Sequence, residues 1–166
     1  LGQGRFWRVL HETGSVSVTI LILLIAASFY SRMLSVAGVP VAISELVQDA
    51  GLGPYGFLLL YVVIVLFLGM ILDSSSILLI MTPVAVPIAA DLGFNLIQFG
   101  VITVLAVEIG LLTPPFGISV FTVKSTLNDP GVTVESIFGG TLPYVGAMLF
   151  VLLLVALFPA LSLALT

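Results

Sequence analysis

The chain has 166 residues, of which 60% are apolar and only 7% are charged, and its formal net charge is −4. Soluble domains carry roughly 25% charged residues, so this composition excludes a water-facing globular domain and indicates a protein embedded in lipid. The scattered charges argue against nucleic acid as a partner, and the absence of cysteine with a single histidine argues against zinc sites.

The N-terminal third predicts three helices of different character. Residues 1–14 can form a short amphipathic helix whose Trp7 lies beside arginines, which is typical of a membrane interface. A soluble connector is the alternative interpretation of this segment. Residues 16–36 are almost wholly apolar, and about 21 residues span roughly 31 Å, enough to cross a hydrocarbon core. Residues 41–50 carry acidic and apolar side chains on opposite faces, which predicts a second amphipathic helix in the interface.

The segment 54–91 is apolar except for the interruption Asp73-Ser74-Ser75-Ser76. The apolar sequence after it runs for about 14 residues, or roughly 21 Å, which is too short to span. One continuous helix would be far too long and would bury four polar side chains. We therefore predict a re-entrant helical hairpin, whose polar tip is tolerated inside the membrane only where protein or a water-filled cavity covers it.

The segment 96–127 is interrupted at residues 113–117, Thr-Pro-Pro-Phe-Gly. Adjacent prolines remove two backbone donors and push the preceding residue out of the α region. This pattern predicts a discontinuous helix with an unwound middle. Residues 128–131, Asn-Asp-Pro-Gly, indicate a turn, and a last transmembrane helix is predicted over 138–164.

The two interruptions supply the candidate binding groups. Interrupted spans are the best sequence indication of a transporter site, because carbonyl groups at a half-helix C-terminus attract cations and amides at an N-terminus attract anions. Carboxylate and hydroxyl oxygens suit alkali cations. The candidate cation ligands are Asp73, Ser74, Ser75, Gly110 and Thr113, and the candidate solute-cavity residues are Ser76, Pro114, Pro115 and Gly117.

Other interpretations of these residues stay open. Asp73 followed by serine is also a good N-cap for the second arm, a role that is compatible with cation binding. Serine hydroxyls bond the local backbone by default. Glu108 is a further candidate for ion contact, or it pairs with another helix or faces water. The apolar segments hold no arrangement typical of an enzyme, such as a Ser-His pair or a closely spaced catalytic acid pair.

The stretch GMILDSSSILLIMTPVAVPIAADLGFNLIQFGVITVLAVEIGLLTPPFG, residues 69–117, resembles the large membrane subunit of tripartite ATP-independent periplasmic (TRAP) transporters. Glu12-Thr13, Gly38-Val39-Pro40 and Leu142-Pro143-Tyr144 resemble the same subunit's C-terminal half, so the resemblance covers nearly the whole chain. One departure is Ala106, where relatives often carry asparagine. Because the first residue is leucine, we expect a C-terminal piece of a longer protein.

The resemblance implies an all-α integral membrane protein forming the second repeat of an elevator-type fold of the ion-transporter superfamily. By that template 16–36 is the scaffold helix, 41–50 the arm, 54–91 the re-entrant hairpin, 96–127 the broken helix and 138–164 the C-terminal transmembrane helix. It implies Na⁺-coupled uptake of a small organic acid, a C4-dicarboxylate or sugar acid, across the bacterial inner membrane. The implied partners are a small TRAP membrane subunit and a periplasmic solute-binding protein.

Two other functions remain open at this point. One is a related two-repeat symporter of sodium and divalent anions that works without a binding protein, which a gene neighbourhood lacking the other two components would favour. The other is a non-transporting membrane assembly subunit, whose polar breaks would be packing features. Ion-flux measurements separate that second alternative from a transporter.

Overall fold

The computed structural model describes residues 3–114, 116–127 and 131–164, and the regular elements in these residues are all helices. They are α1 (Gln3–Val36), α2 (Val39–Asp49), α3 (Pro54–Gly69), α4 (Ser74–Asp91), α5 (Leu96–Leu112), α6 (Ile118–Thr126), α7 (Val134–Leu157) and α8 (Ala160–Leu163). Among the described residues, three helices are long and apolar enough to cross a membrane, namely α1, α4 and α7. A fourth span results if α2 and α3, which are bent by 117°, count as one. The predicted all-α membrane class is therefore confirmed.

The N-terminal region corrects the prediction of an interfacial helix over 1–14 followed by a separate spanning helix over 16–36. A single helix of 34 residues runs from Gln3 to Val36. The predicted boundary lies at the change in hydropathy near Gly14, but no residue there lacks a backbone N–H. The Thr19 hydroxyl even donates to the carbonyl of Ser15 at 2.9 Å across this point. Hydropathy reports the surroundings of a helix, whereas its continuity depends on the backbone.

The segment 54–91 forms two helices, α3 and α4, joined by a short turn at residues 70–73. α4 has 18 residues rather than the predicted 14, because Asp73 caps it and the serines form its first turn. Its length is therefore roughly 27 Å, close to the hydrocarbon thickness of about 30 Å. The length argument for a re-entrant hairpin then rests on α3, with 16 residues, and on the polar turn.

Two prolines inside α4 shape the face that it turns toward α1. Because Pro83 and Pro87 have no N–H, the carbonyls of Leu79 and Pro83 lose their helical donors. These residues line a groove of about 580 Å³ between the two helices, together with the hydroxyls of Ser31 and Thr82. Interior prolines are tolerated in membrane helices where hydroxyl groups or water can satisfy such carbonyls.

The core lies where α3 and α5 cross, with α4 and α7 packed around them. Its aromatic part is built by Tyr61 and Phe99, whose ring centroids are 4.8 Å apart. Ala106 is fully buried, so its methyl group fills a place where a polar side chain would need a partner. Other residues with no exposed surface are Val65, Ile77, Ala89 and Ile102.

The C-terminal helix differs from the predicted range 138–164 at both ends. α7 begins at Val134, because the Thr133 hydroxyl caps it by accepting from the amide of Ser136 at 3.2 Å. It ends at Leu157, and Phe158 leaves the helix with φ −122° and ψ 85°. The residue before a proline is pushed out of the α region, so Pro159 separates α7 from the single turn α8. Of the predicted turn at 128–131, only the last residue lies within the described residues.

Candidate functional site

The two breaks lie side by side because α3 and α5 approach each other through glycine. A Cβ placed on Gly110 would lie 2.7 Å from the Cα of Gly69 and 2.7 Å from the carbonyl oxygen of Leu66. Only hydrogen fits at such distances, and small residues are what let membrane helices bring their backbones together. Gly110, predicted as a cation ligand, thus has a packing role, and the role of Gly69 was not predicted at all. Its only signal in the sequence is a glycine shortly before the polar turn.

Asp73 caps the N-terminus of α4. Its Oδ2 accepts from the backbone amide of Ser76 at 3.0 Å, and its Oδ1 accepts from the Ser76 hydroxyl at 2.5 Å. This is the geometry that the N-cap interpretation of the sequence predicts. The negative charge of Asp73 is also favourable at the N-terminus of α4, which is the positive end of the helix dipole. The side chain remains exposed. Since each carboxylate oxygen can accept more than one bond, the cap leaves room for a further ligand.

Ser74 links the turn to α5. Its hydroxyl donates to Oε1 of Glu108 at 3.3 Å. The Glu108 side chain is exposed, although Val107 and Ile109 on either side of it are each 1% exposed. A long hydrogen bond at an exposed position is easily exchanged for another partner. The residues that the crossing brings to one place are Asp73, Ser74, Ser75, Ser76, Glu108 and Gly110.

Thr113 closes the C-terminal end of α5. Its hydroxyl donates to the carbonyl of Ile109 at 2.6 Å, and its amide donates to the carbonyl of Gly110 at 3.0 Å. The carbonyl of Gly110, a predicted cation ligand, and that of Ile109 therefore already accept hydrogen bonds from Thr113. A carbonyl oxygen has two lone pairs, so such a bond does not by itself prevent contact with a cation. With φ −92° and ψ 134°, Thr113 takes the chain out of the helix, as the proline after it requires.

The four residues predicted to line a solute cavity lie in different environments. Ser76 belongs to the capped turn, Pro114 is exposed, and Pro115 lies outside the described residues. Gly117 is buried with φ 44°, and a Cβ on it would meet the Phe138 ring at 2.7 Å. Gly117 therefore fits the start of α6 against α7. Because it has no side chain, it cannot cap the amides of Ile118 and Ser119, whereas its carbonyl accepts from the amide of Val120 at 2.8 Å.

A groove of about 450 Å³ opens between the turn after α3 and the face of α6. It is lined by Ile71, Phe116, Ile118, Phe121, Thr122 and Ser125. The Thr122 hydroxyl donates to the backbone carbonyl of Ile118 at 2.9 Å, so the lining offers mainly apolar contact. None of the described residues predicted for a solute cavity lines this groove. The two breaks reach the groove only through residues close to their polar groups in the chain, namely Ile71 before Asp73 and Phe116 before Gly117.

The breaks offer oxygen ligands of the kind that hard cations prefer. They combine the carboxylates of Asp73 and Glu108 with serine and threonine hydroxyls and with carbonyls at a helix C-terminus. Oxygen ligands of this kind suit sodium and similar ions, whereas soft metals prefer sulfur and nitrogen ligands. The open amides at the start of α6 offer the opposite chemistry, which suits an anion.

Comparison with known proteins gives matches along almost the whole chain. Residues 1–161 match the family model described as "Tripartite ATP-independent periplasmic transporter, DctM component". The chain is 34% identical over 159 residues to the C4-dicarboxylate TRAP transporter large permease protein of Pseudomonas aeruginosa, covering 95% of this chain and 36% of that protein. The C4-dicarboxylate large permease of Rhodobacter capsulatus is 34% identical over 158 residues, with coverages of 95% and 35%. The sialic acid TRAP transporter large permease of Vibrio cholerae is 29% identical over 160 residues, with coverages of 96% and 37%.

Proposed function

This chain belongs to the DctM component family of TRAP transporters, which are membrane permeases, and from that premise we propose that it forms the C-terminal part of a Na⁺-coupled uptake system for small organic acids. The chain spans about a third of the length of these relatives. The proposed complex contains the rest of the large subunit, a small membrane subunit and a periplasmic solute-binding protein in the bacterial inner membrane. Within it, this chain is the second repeat of an elevator-type carrier.

One observation carries the proposal: the Gly69–Gly110 crossing places Asp73 and Glu108 at the C-terminal end of α5. Carboxylates and the negative end of a helix dipole there both favour a cation. Charged side chains within a membrane protein are costly unless a partner offsets them. A bound sodium ion is such a partner, and its oxygen ligands would come from the residues of the two breaks.

The same region supports the uptake of an anion. The first two amides of α6, those of Ile118 and Ser119, have no side-chain cap from Gly117 and are available to an anion. A cation on one side of the break and an anion on the other would each strengthen the binding of its neighbour, which is the thermodynamic basis of coupled transport. The relatives named for C4-dicarboxylates and for sialic acid suggest a carboxylate-bearing solute. The family match favours a tripartite system over the symporter that needs no binding protein.

Transport by the complete complex in liposomes tests the proposal. With the binding protein outside, we expect uptake of radiolabelled succinate to require an inward Na⁺ gradient and not to be supported by an equal K⁺ gradient. N-acetylneuraminate serves as the second probe, for the sugar-acid class. Uptake of either solute without a sodium gradient, or without the binding protein, would contradict the proposed coupling or the proposed partner.

Two substitutions of Asp73 separate its capping role from its charge. Asp73→Asn keeps an N-cap acceptor but removes the charge, whereas Asp73→Ala removes both. If the charge helps to hold sodium, both variants lose uptake about ten-fold or more, which corresponds to roughly 1.4 kcal/mol of binding free energy. If both variants keep full uptake and an unchanged sodium dependence, Asp73 is only a cap. Asn95→Ala, which removes the cap of α5, is the matched control.

A further inference from the structure

The C-terminal end of α7 lacks a backbone donor that a continuing helix would have. The carbonyl of Val155 would accept from the amide of residue 159, but Pro159 has no N–H. Phe158 has already left the helix, so the next carbonyl, that of Ala156, is not served by the regular ladder either. Val155 is only 7% exposed, and unmet acceptors in such a place are costly.

The missing donor comes from α5. The side-chain amide of Gln98 lies 2.9 Å from the carbonyl oxygen of Val155 and 3.3 Å from that of Ala156. A glutamine amide has two N–H groups, so one side chain can serve both acceptors. Gln98 is 4% exposed, which makes it one of the few buried polar residues among those described.

We infer that Gln98 is the C-terminal cap of α7, supplied by α5 in place of the amide that Pro159 cannot provide. The contact joins residues 57 positions apart in the chain, and it fastens the first turn of α5 to the end of the last spanning helix. α5 carries Glu108 and Thr113 at its other end, so Gln98 is a positioning residue that sets how α5 lies against α7. This contact is independent of which solute or ion the transporter binds.

A rescue experiment distinguishes this role from mere filling of space. Gln98→Met keeps the length of the side chain and removes its donors. Pro159→Ala supplies a backbone amide and frees Phe158 to continue the helix. In the complete transporter in detergent, we expect Gln98→Met to lower the apparent melting temperature by several degrees, Pro159→Ala to change it little, and the double variant to recover at least half of the loss.

Thr103→Val is the matched control, because Thr103 is also 4% exposed and lies on the same helix. Its loss of stability should not be recovered by Pro159→Ala. If Gln98→Met yields no folded protein, the readout becomes whether Pro159→Ala restores a monodisperse peak in size-exclusion chromatography. Losses that simply add, an unaffected Gln98→Met variant, or a double variant that stays unfolded would each overturn the inference.

Discussion

The two ends of α5 contain polar groups of similar kinds and use them in opposite ways. At the N-terminal end, the Asn95 side chain accepts from the amide of Ile97 at 2.9 Å, and Gln98 is buried against the end of α7. At the C-terminal end, Glu108 is exposed and its contact with Ser74 is 3.3 Å long. The Asn95 carbonyl oxygen and the Gln98 amide bond to fixed backbone groups, whereas the groups at the second end keep lone pairs free for another ligand.

This difference teaches how to separate structural from functional polar residues in a membrane protein. A buried polar side chain that bonds to backbone groups of another helix holds the fold together, since no water can replace the lost bond. A polar side chain that is exposed beside a helix end can exchange its partner at low cost. Substitutions at the two ends should therefore affect stability and transport in different proportions.

The largest effect is expected for Gly110→Ala, which would show that the C-terminal end of α5 is held in place by backbone packing against α3. The new methyl group would meet the backbone of α3 at 2.7 Å, and backbone atoms cannot move aside as a flexible side chain does. Overpacking typically costs about 1–3 kcal/mol, and we expect the upper part of that range. The yield of folded protein in size-exclusion chromatography measures it.

Gly100→Ala is the control for this substitution. Gly100 lies on the same helix, and a Cβ there would meet no atom within 4 Å. Replacing a helical glycine by alanine should raise stability by roughly 0.5–1 kcal/mol. An equal loss of folded protein in both variants would mean that the Gly69–Gly110 crossing is not what holds the two breaks together.

The next effect concerns the buried polar pair in the middle of α5. The hydroxyls of Tyr61 and Thr103 are 3.1 Å apart, and Thr103 also donates to the carbonyl of Phe99 at 2.8 Å. Thr103→Val leaves the Tyr61 hydroxyl without its partner, at a cost of about 1–3 kcal/mol. Adding Tyr61→Phe should recover part of this loss. Thermal unfolding of the four members of the cycle measures the coupling, and purely additive effects would show that the bond contributes nothing.

Asn95→Ala should have a smaller effect, confined to stability. The variant loses the N-cap of α5 and about 1 kcal/mol of folding free energy, whereas Asn95→Asp keeps the cap. Uptake per folded molecule should stay at the level of the unmodified transporter in both variants. A loss of uptake beyond the loss of folded protein would remove the distinction between the two ends.

The smallest change in stability is expected for Ser74→Ala. Its hydrogen bond to Glu108 is long and exposed, and surface substitutions of this kind usually stay within about 0.5 kcal/mol. The half-saturating Na⁺ concentration for uptake should nevertheless rise if the Ser74 hydroxyl is one of the proposed oxygen ligands. Unchanged sodium dependence would restrict the ion site to the other residues.

Sequence reasoning was accurate where a local signal marks the chain. The observed α5, Leu96–Leu112, coincides with the helical part predicted ahead of the proline pair, because Asn95 caps its start and the prolines stop it. The position of Asp73 at the start of α4 likewise follows from the preference of aspartate for N-caps. Both signals act within a few residues of the place that they determine.

Contacts between distant segments could not be predicted in this way. Nothing near Gly69 indicates that Gly110 lies opposite it, and nothing near Gln98 indicates Pro159, since each pairing depends on how the helices cross. The prediction of two separate helices in place of α1 was wrong for a related reason. The pattern of charged and apolar residues indicates the environment of each helical turn, but it does not indicate whether the helix continues from one turn to the next. An isolated glutamine in an apolar helix, together with a proline at the end of another, is the one hint that a careful search could have used.

The unbroken length of α1 has a mechanical consequence. Its 34 residues extend over about 51 Å, whereas the hydrocarbon core is only about 30 Å thick. Arg5, Arg8 and Glu12 all lie in the first third of the helix, so an upright α1 that keeps these charges in water would extend about 20 Å beyond the hydrocarbon core on that side. With Val36 as the pivot, a change of about 10° in the tilt of α1 would move Gly4, about 48 Å away, through about 8 Å. Small rotations of such a span would thus be magnified at its N-terminal tip.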